Sequence, residues 1–226
     1  MAIYYLLSGC HSEKGYQGEI INYLRNDLIE KNKITFFSSS PSNYEENDRY
    51  FKINIAWLNE IGIRFNHYVL IDNRLNTDQI LQYIRESQVI FLMGGNPITQ
   101  IDFIRQNNLI ETLRRYNEII IGVSAGAINM ALKSLYSKDD KDIKKTEMVK
   151  GMGLVDVTVE PHFNINNLEF LETEIFPQSD DVDIYGIPDD SGIKIENDNV
   201  TYIGKVYKIK DRKVSLITDK DLNKTK

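Results

Sequence analysis

One stretch of this 226-residue chain has both the residue types and the spacing for nucleophilic chemistry. Gly122-Val123-Ser124-Ala125-Gly126 satisfies G-x-S-x-G. A serine hydroxyl is a weak nucleophile at its free pKa and needs a neighbouring base. It also needs a sharp turn to lift it clear of the backbone. Ile119, Ile120 and Ile121 precede the motif as a continuous β-branched run, as in a strand buried on both faces of a parallel sheet. Ala125 to Leu132 follows, rich in the helix formers Ala, Met and Leu. Strand, sharp turn and helix together read as a nucleophile elbow. The glycines on either side of Ser124 carry no Cβ, so helix and strand can approach closely. The amide of Ala125, at the helix N-terminus, would face a developing oxyanion. The plain alternative is a tight βα turn of small residues that serves packing alone.

A serine nucleophile needs a base, and the chain holds three histidines: His11, His67 and His162. His67 opens an apolar run and reads as an edge or core residue. His11 lies in the loop after the first strand and remains a candidate. His162 follows a strand and a proline that fixes the local chain, which makes it the favoured base. No histidine follows it, whereas lipase-like α/β-hydrolases place theirs last, near the C-terminus. A thioester mechanism would need cysteine where Ser124 stands.

The surrounding pattern supplies elements to hold these groups. Strands are expected at 2–7, 33–37, 67–71, 88–93, 119–121 and 154–160. Helices are expected at 16–31, 48–61, 77–85 (capped by Thr77), 98–105, 109–116, 125–132 and 166–175. The second of these helices shows Phe51, Ile55, Leu58 and Ile61 on one face. Residues 182–217 break into short strands at Asp189–Gly192, Asn197–Asn199 and Lys210–Arg212. Strands alternating with helices, then a β-rich C-terminal stretch, indicate an α/β three-layer sandwich with a mostly parallel sheet. Active sites in such sheets lie at the carboxyl ends of the strands. Ser8-Gly9, Gly94-Gly95, Ser124 and His162 all fall there.

Bulk properties narrow the function classes. At 42% hydrophobic residues the chain can bury a proper core, and one domain, 1–226, is the natural count. A net charge of -6, with both signs interspersed, argues against a nucleic-acid partner. The one cysteine, Cys10, cannot form an internal disulfide, and no Cys/His cluster has zinc-ligand spacing. The opening MAIYYLLSGC lacks a basic n-region, and its apolar run is too short for a signal or a membrane span. A cytoplasmic location is the expectation. Lys138–Lys145 (KDDKDIKK) reads as a solvated charged loop. Tyrosine is abundant, and Tyr16, Tyr44 and Tyr185 fall where they could line a site.

Four blocks together carry a resemblance: MGGNP (93–97), IIGVSAGAI (120–128), VEPHFN (159–164) and YGIPDDSG (185–192). In this order and spacing they resemble the peptidase E family of serine peptidases, which includes aspartyl dipeptidases and the related cyanophycinases. The resemblance spans essentially the whole chain. It implies a class I glutaminase-like fold in which serine replaces the usual cysteine. Ser124 would be the nucleophile and His162 the general base. The amides of Gly95 (or Gly94) and Ala125 would form the oxyanion hole. The reaction implied is hydrolysis of short peptides through an acyl-enzyme intermediate, with no metal or organic cofactor.

For the acid that orients the imidazole the family offers two places. Asp139 and Asp140 stand in the segment after the elbow helix. Asp189 follows the late strand and is favoured, because the first pair lacks the family's Thr-Asn context. Glu160 is an outside candidate for substrate contact, its plain reading a solvated strand-end residue.

One departure bears on specificity. Aspartyl dipeptidases must neutralise a substrate carboxylate, ideally with a bidentate arginine. The stretch after the histidine block, FNINNLEFLETEIFPQSDD, holds several acids and no arginine or lysine, and no arginine occurs between Ser124 and Lys210. A strict preference for N-terminal aspartate is therefore not expected. The partner expected is a small peptide, with neither nucleic acid nor membrane, and a homodimer is left open. Two other readings remain: a non-catalytic binding or regulatory α/β domain, and an esterase or amidase using the same dyad.

Overall fold

The computed structural model describes residues 2–10, 14–28, 30–138 and 143–217. From the N-terminus, strands and helices alternate: β1 (Ile3–Leu7), α1 (Ile20–Leu28), β2 (Lys33–Phe37), α2 (Tyr44–Glu60), β3 (His67–Ile71) and α3 (Thr77–Glu86). Then come β4 (Val89–Leu92), α4 (Pro97–Gln106), α5 (Ile110–Arg114), β5 (Ile119–Val123) and α6 (Ala125–Met130). The second half is mostly strand: β6 (Lys133–Tyr136), β7 (Glu147–Lys150), β8 (Thr158–Pro161), the single turn α7 (Leu168–Phe170) and β9 (Ile184–Ile187). It ends in β10 (Gly192–Glu196), β11 (Asn199–Ile203), β12 (Tyr207–Lys210) and β13 (Lys213–Leu216).

Among the described residues the main sheet runs β11-β10-β1-β5-β4-β2-β3. Its β1-β5-β4-β2-β3 portion is parallel, and β10 joins β1 antiparallel. The apolar runs are explained by burial on both faces. Along β5, Ile119 and Ile121 enter one core with Tyr5, Leu7, Val89 and Phe91, under α1 and α2. Ile120 points the other way, with Leu6, Ile90 and Leu92, toward α3, α4 and α6. Helices on both faces of a mostly parallel sheet make the expected three-layer α/β architecture.

The β-rich C-terminal stretch divides between two sheets. β10 and β11 extend the main sheet, while β9, β12 and β13 join β8 in a sheet ordered β13-β12-β9-β8. That smaller sheet has its own apolar cluster, which includes Phe163, Ile175, Ile184 and Ile209. Among the described residues no helix is long and apolar enough to cross a membrane.

Several boundaries differ from the sequence reading, each for a local reason. Asn76, not Thr77, caps α3: its side chain accepts from the Gln79 amide while Gln79 reaches back to the Asn76 amide. The elbow helix stops at Met130 because Ala131 turns extended and bridges Val155. The amides of Leu154 and Val155 are spent on the Met130 carbonyl, so β8 begins only at Thr158. The hairpin β6-β7 around the charged loop was not anticipated from its two short, lysine-ended strands. In place of a regular helix at 166–175, α7 passes into a π-helical turn over Leu171–Ile175 and a 3₁₀ turn over Phe176–Gln178.

Candidate active site

Ser124 stands between β5 and α6 with φ 48° and ψ −109°, a conformation that L-residues rarely adopt. The neighbouring glycines make the turn possible. A Cβ on Gly122 would lie 2.6 Å from the Gly126 carbonyl carbon, and one on Gly126 would overlap the Leu92 carbonyl oxygen. The Ser124 amide donates to the Leu7 carbonyl at 2.9 Å, which ties the elbow to the end of β1. The hydroxyl is left above the carboxyl edge of the sheet, where the sequence reading put it.

Strand register accounts for the partners of that hydroxyl. β8 and β9 are parallel, with Pro161 level with Ile187, so the residues that leave the two strands share one end of the smaller sheet. His162 leaves β8 with φ 54°, and Asp189 follows β9 after one proline. His162 Nε2 lies 3.0 Å from Ser124 Oγ, and Nδ1 lies 2.7 Å from Asp189 Oδ1. The structure thus brings Ser124, His162 and Asp189 into one hydrogen-bonded chain. About half of the imidazole and of the Asp189 carboxylate is exposed, so the chain opens to solvent.

Ser8, which the sequence places with Gly9 at the active-site edge of the sheet without assigning it a role, joins this chain from below. It is completely buried. Its hydroxyl accepts from the His162 backbone amide at 2.7 Å and donates to Asp189 Oδ1 at 3.1 Å. Its own amide donates to the Ser191 carbonyl, and the Asp190 amide donates to the Gly9 carbonyl. The crossing from β9 to β10 is therefore stitched to the end of β1. Gly9 lies flat against the imidazole: a Cβ there would come within 2.7 Å of His162 Cε1. The signal for Ser8 was faint, a polar residue at the end of an apolar strand pointing at the site edge.

The predicted oxyanion donors, Gly95 and Ala125, occupy the turns that follow β4 and β5. Ala125 opens α6, so its amide has no partner inside the helix. Gly95 has φ +127°, open essentially to glycine alone. The Ser39 hydroxyl donates to the Gly94 carbonyl at 2.6 Å. In a trans peptide the C=O and N–H point in opposite directions, so this bond turns the Gly95 N–H away from Ser39. Both Gly94 and Gly95 line the same cavity as Ser124, and a Cβ on Gly94 would meet Ser124 Cβ at 3.5 Å.

That cavity encloses about 370 Å³, with Ser124 and His162 at one side. Helix α2 contributes Glu46, Asn47, Tyr50, Asn54 and Trp57 to its lining. The sequence reading saw only the apolar face of this helix. A signal was present in Asn47 and Asn54, seven residues apart and both buried, which marks a second, polar inward face. Cys10 lines the cavity too; burial first, then the nearby Asp190 and Asp189, push its thiol up to about 12.

The remaining candidates lie elsewhere. Glu160 is not a solvated strand-end residue: it is buried in β8, and the Ser137 hydroxyl donates to its Oε1 at 2.8 Å. His67 is exposed at the start of the edge strand β3. Tyr16 is buried in the main core, Tyr44 is exposed, and Tyr185 stacks on Tyr202. His11, Asp139 and Asp140 fall outside the described residues. Among the described residues no group of three or more His, Cys, Asp or Glu side chains could hold a metal ion.

Comparison with known proteins places the fold and the family. The chain is 23% identical over 202 residues to a peptidase E from Nostoc sp., a match covering 82% of this chain and 77% of that protein. Two crystal structures share the fold. One is a peptidase from an acI-B1 actinobacterium (TM-score 0.64, 14% identity, 96% of this chain and 94% of that one). The other is a Listeria monocytogenes protein assigned as a peptidase E (TM-score 0.66, 18% identity, 89% of this chain and 98% of that one). The family model of peptidase family S51 matches residues 4–203. A match over that much of the chain shows the family: this protein belongs to peptidase family S51 and is a serine-type peptidase.

Proposed function

We propose that the protein hydrolyses short peptides from their N-terminal end, in the manner of a dipeptidase, with Ser124 as nucleophile, His162 as general base and Asp189 as the orienting acid. The observation that carries this reading is the continuous chain Ser124 Oγ–His162 Nε2 at 3.0 Å and His162 Nδ1–Asp189 Oδ1 at 2.7 Å beside a cavity of about 370 Å³. Ser124 Oγ attacks the peptide carbonyl carbon while His162 Nε2 takes its proton. The carbonyl oxygen becomes an oxyanion, received by the amides of Gly95 and Ala125. His162 then returns the proton to the departing amine, and an acyl-serine remains. Water, deprotonated by the same nitrogen, attacks the ester and releases the acid with free Ser124. Asp189 keeps Nδ1 protonated, so that Nε2 presents its lone pair to the serine, and it stabilises the imidazolium without taking the proton.

The size of the cavity favours a small peptide, and Glu46 gives it an acidic anchor that a non-peptide ester would not require. The test is mass spectrometry after exposure to a fluorophosphonate. One adduct on Ser124, absent in Ser124→Ala and strongly slowed in His162→Ala, is the expected result. A folded wild-type protein that forms no adduct would sink the proposal.

A further inference from the structure

The α2 wall of the cavity that Ser124 lines carries a charge pattern opposite to one that would receive an acidic side chain. Glu46, Tyr50, Asn54 and Trp57 recur at intervals of four, four and three along α2, so they share one helical face. At 1.5 Å per residue this face runs about 16 Å along the cavity. Among the described lining residues there is no lysine or arginine, and Glu46 is the one carboxylate. It is half-buried, and Asn43 Nδ2 donates to its Oε2 at 2.9 Å, which orients the carboxylate. Two arginines near α2 are engaged away from the cavity. Arg74 is held by Asp48 and Asp72, and Arg49 lies against the Tyr50 ring at 4.7 Å without lining the cavity.

A half-buried carboxylate at one end of a helical face that also carries a tyrosine and a tryptophan is an environment for a positively charged nitrogen, through charge pairing at Glu46 and cation–π attraction along the face. It repels a second carboxylate, with no fixed positive group on the wall to offset the repulsion. Resting on the peptidase reading proposed above, we infer that this face of α2 is the subsite for the acyl-side residue of the substrate. It selects a peptide carrying a positive nitrogen there and disfavours an N-terminal aspartate. The nitrogen can be the α-ammonium of the first residue or the end of a basic side chain. The recognition chemistry is the same for both.

The experiment compares kcat/KM for Lys-Leu, Leu-Leu, N-acetyl-Leu-Leu and Asp-Leu in the wild type, Glu46→Gln and Glu46→Asp, with thermal unfolding of each protein as the folding control. Lys-Leu is expected to exceed Asp-Leu by roughly tenfold or more. A drop from Leu-Leu to its acetylated form identifies the α-ammonium as the charge that is read; an advantage of Lys-Leu over Leu-Leu identifies the side chain. Glu46→Gln is expected to shrink these ratios through KM, and Glu46→Asp to restore them in part. Asp-Leu as the best substrate overturns the inference, and so do ratios unchanged in Glu46→Gln; both outcomes leave Ser124 hydrolysis intact. A wild-type protein that Ser124-directed fluorophosphonate fails to label overturns the parent reading and this one with it.

Discussion

The joint on which the proposed site depends most is Ser8, and Ser8→Ala tests it directly. The substitution removes one hydroxyl from a fully buried position and leaves the backbone of β1 untouched. Two bonds are lost. The His162 amide, 2.7 Å from that hydroxyl, is left without its acceptor, at a cost of about 1–3 kcal/mol. The bond to Asp189 Oδ1, at 3.1 Å, has a charged acceptor and would be worth about 1.5–3 kcal/mol if buried. Asp189 is half exposed, so water replaces much of that second contribution.

Both losses act on the placement of the imidazole and its acid, because Ser8 does not line the cavity. A misplacement approaching 1 Å costs on the order of a hundredfold in rate. The expectation is therefore a fall in kcat of roughly ten- to a hundredfold with KM within about twofold. The unfolding midpoint should drop by about 2–8 °C, the shift that 1–2 kcal/mol produces in a chain of this size. The assay pairs steady-state hydrolysis of a dipeptide with the second-order rate of fluorophosphonate labelling between pH 6 and 9. Labelling should slow in parallel with kcat, because both need Ser124 activated. A variant that loses stability but labels at the wild-type rate across that range would refute the reasoning, leaving Ser8 a packing residue alone.

Other consequences follow from single contacts. Ser39→Ala frees the Gly94 carbonyl that now fixes the peptide of Gly95, so kcat should fall roughly tenfold while stability, read by denaturant titration, changes by less than about 1 kcal/mol. Gly126→Ala puts a Cβ into the Leu92 carbonyl, where backbone meets backbone, and should destabilise by more than about 3 kcal/mol, read as a lowered denaturant midpoint or loss of soluble protein. With its thiol pushed up to about 12, Cys10 holds about one part in ten thousand as thiolate at pH 8, so iodoacetamide should leave activity unchanged there; rapid alkylation, read by mass spectrometry, would contradict this. Asp183 is desolvated, yet Lys208 and Lys210 hold its carboxyl below the ordinary 3.8. The stability it adds is present above that value and fades as pH falls through the lowered one, so Asp183→Asn should cost under about 1 kcal/mol near pH 7 and nothing near pH 2 in urea titrations.

What could be read from residues alone follows the range of the interactions involved. The five parallel strands were legible because burial on both faces turns each into an uninterrupted apolar run, and β2, β3 and β5 fall where the run predicts. Ser124 was legible because an elbow is a local device: strand, two close-approach glycines and helix lie within fifteen residues. The placing of His162 and Asp189 leaned on family resemblance, since nothing near either residue in sequence states that β8 and β9 pair in parallel and end level. The role of Ser8, though not its place at the sheet edge, and the α2 wall were out of reach for the same reason. Their meaning comes from the register of β1 beside β5 and from which side of a helix meets the cavity. The same division explains why Ser8 matters. Ser124 sits on the main sheet, whereas His162 and Asp189 leave the smaller one, so the 3.0 Å contact between serine and imidazole is a contact between two sheets. The chain crosses between the two sheets at 188–191, beside the site, and that crossing has to be held in place. That task falls to the bonds at the end of β1: Ser8 to His162 and Asp189, its amide to Ser191, and Gly9 to Asp190. A serine on one sheet and its base on another can act together only as well as that seam is sewn.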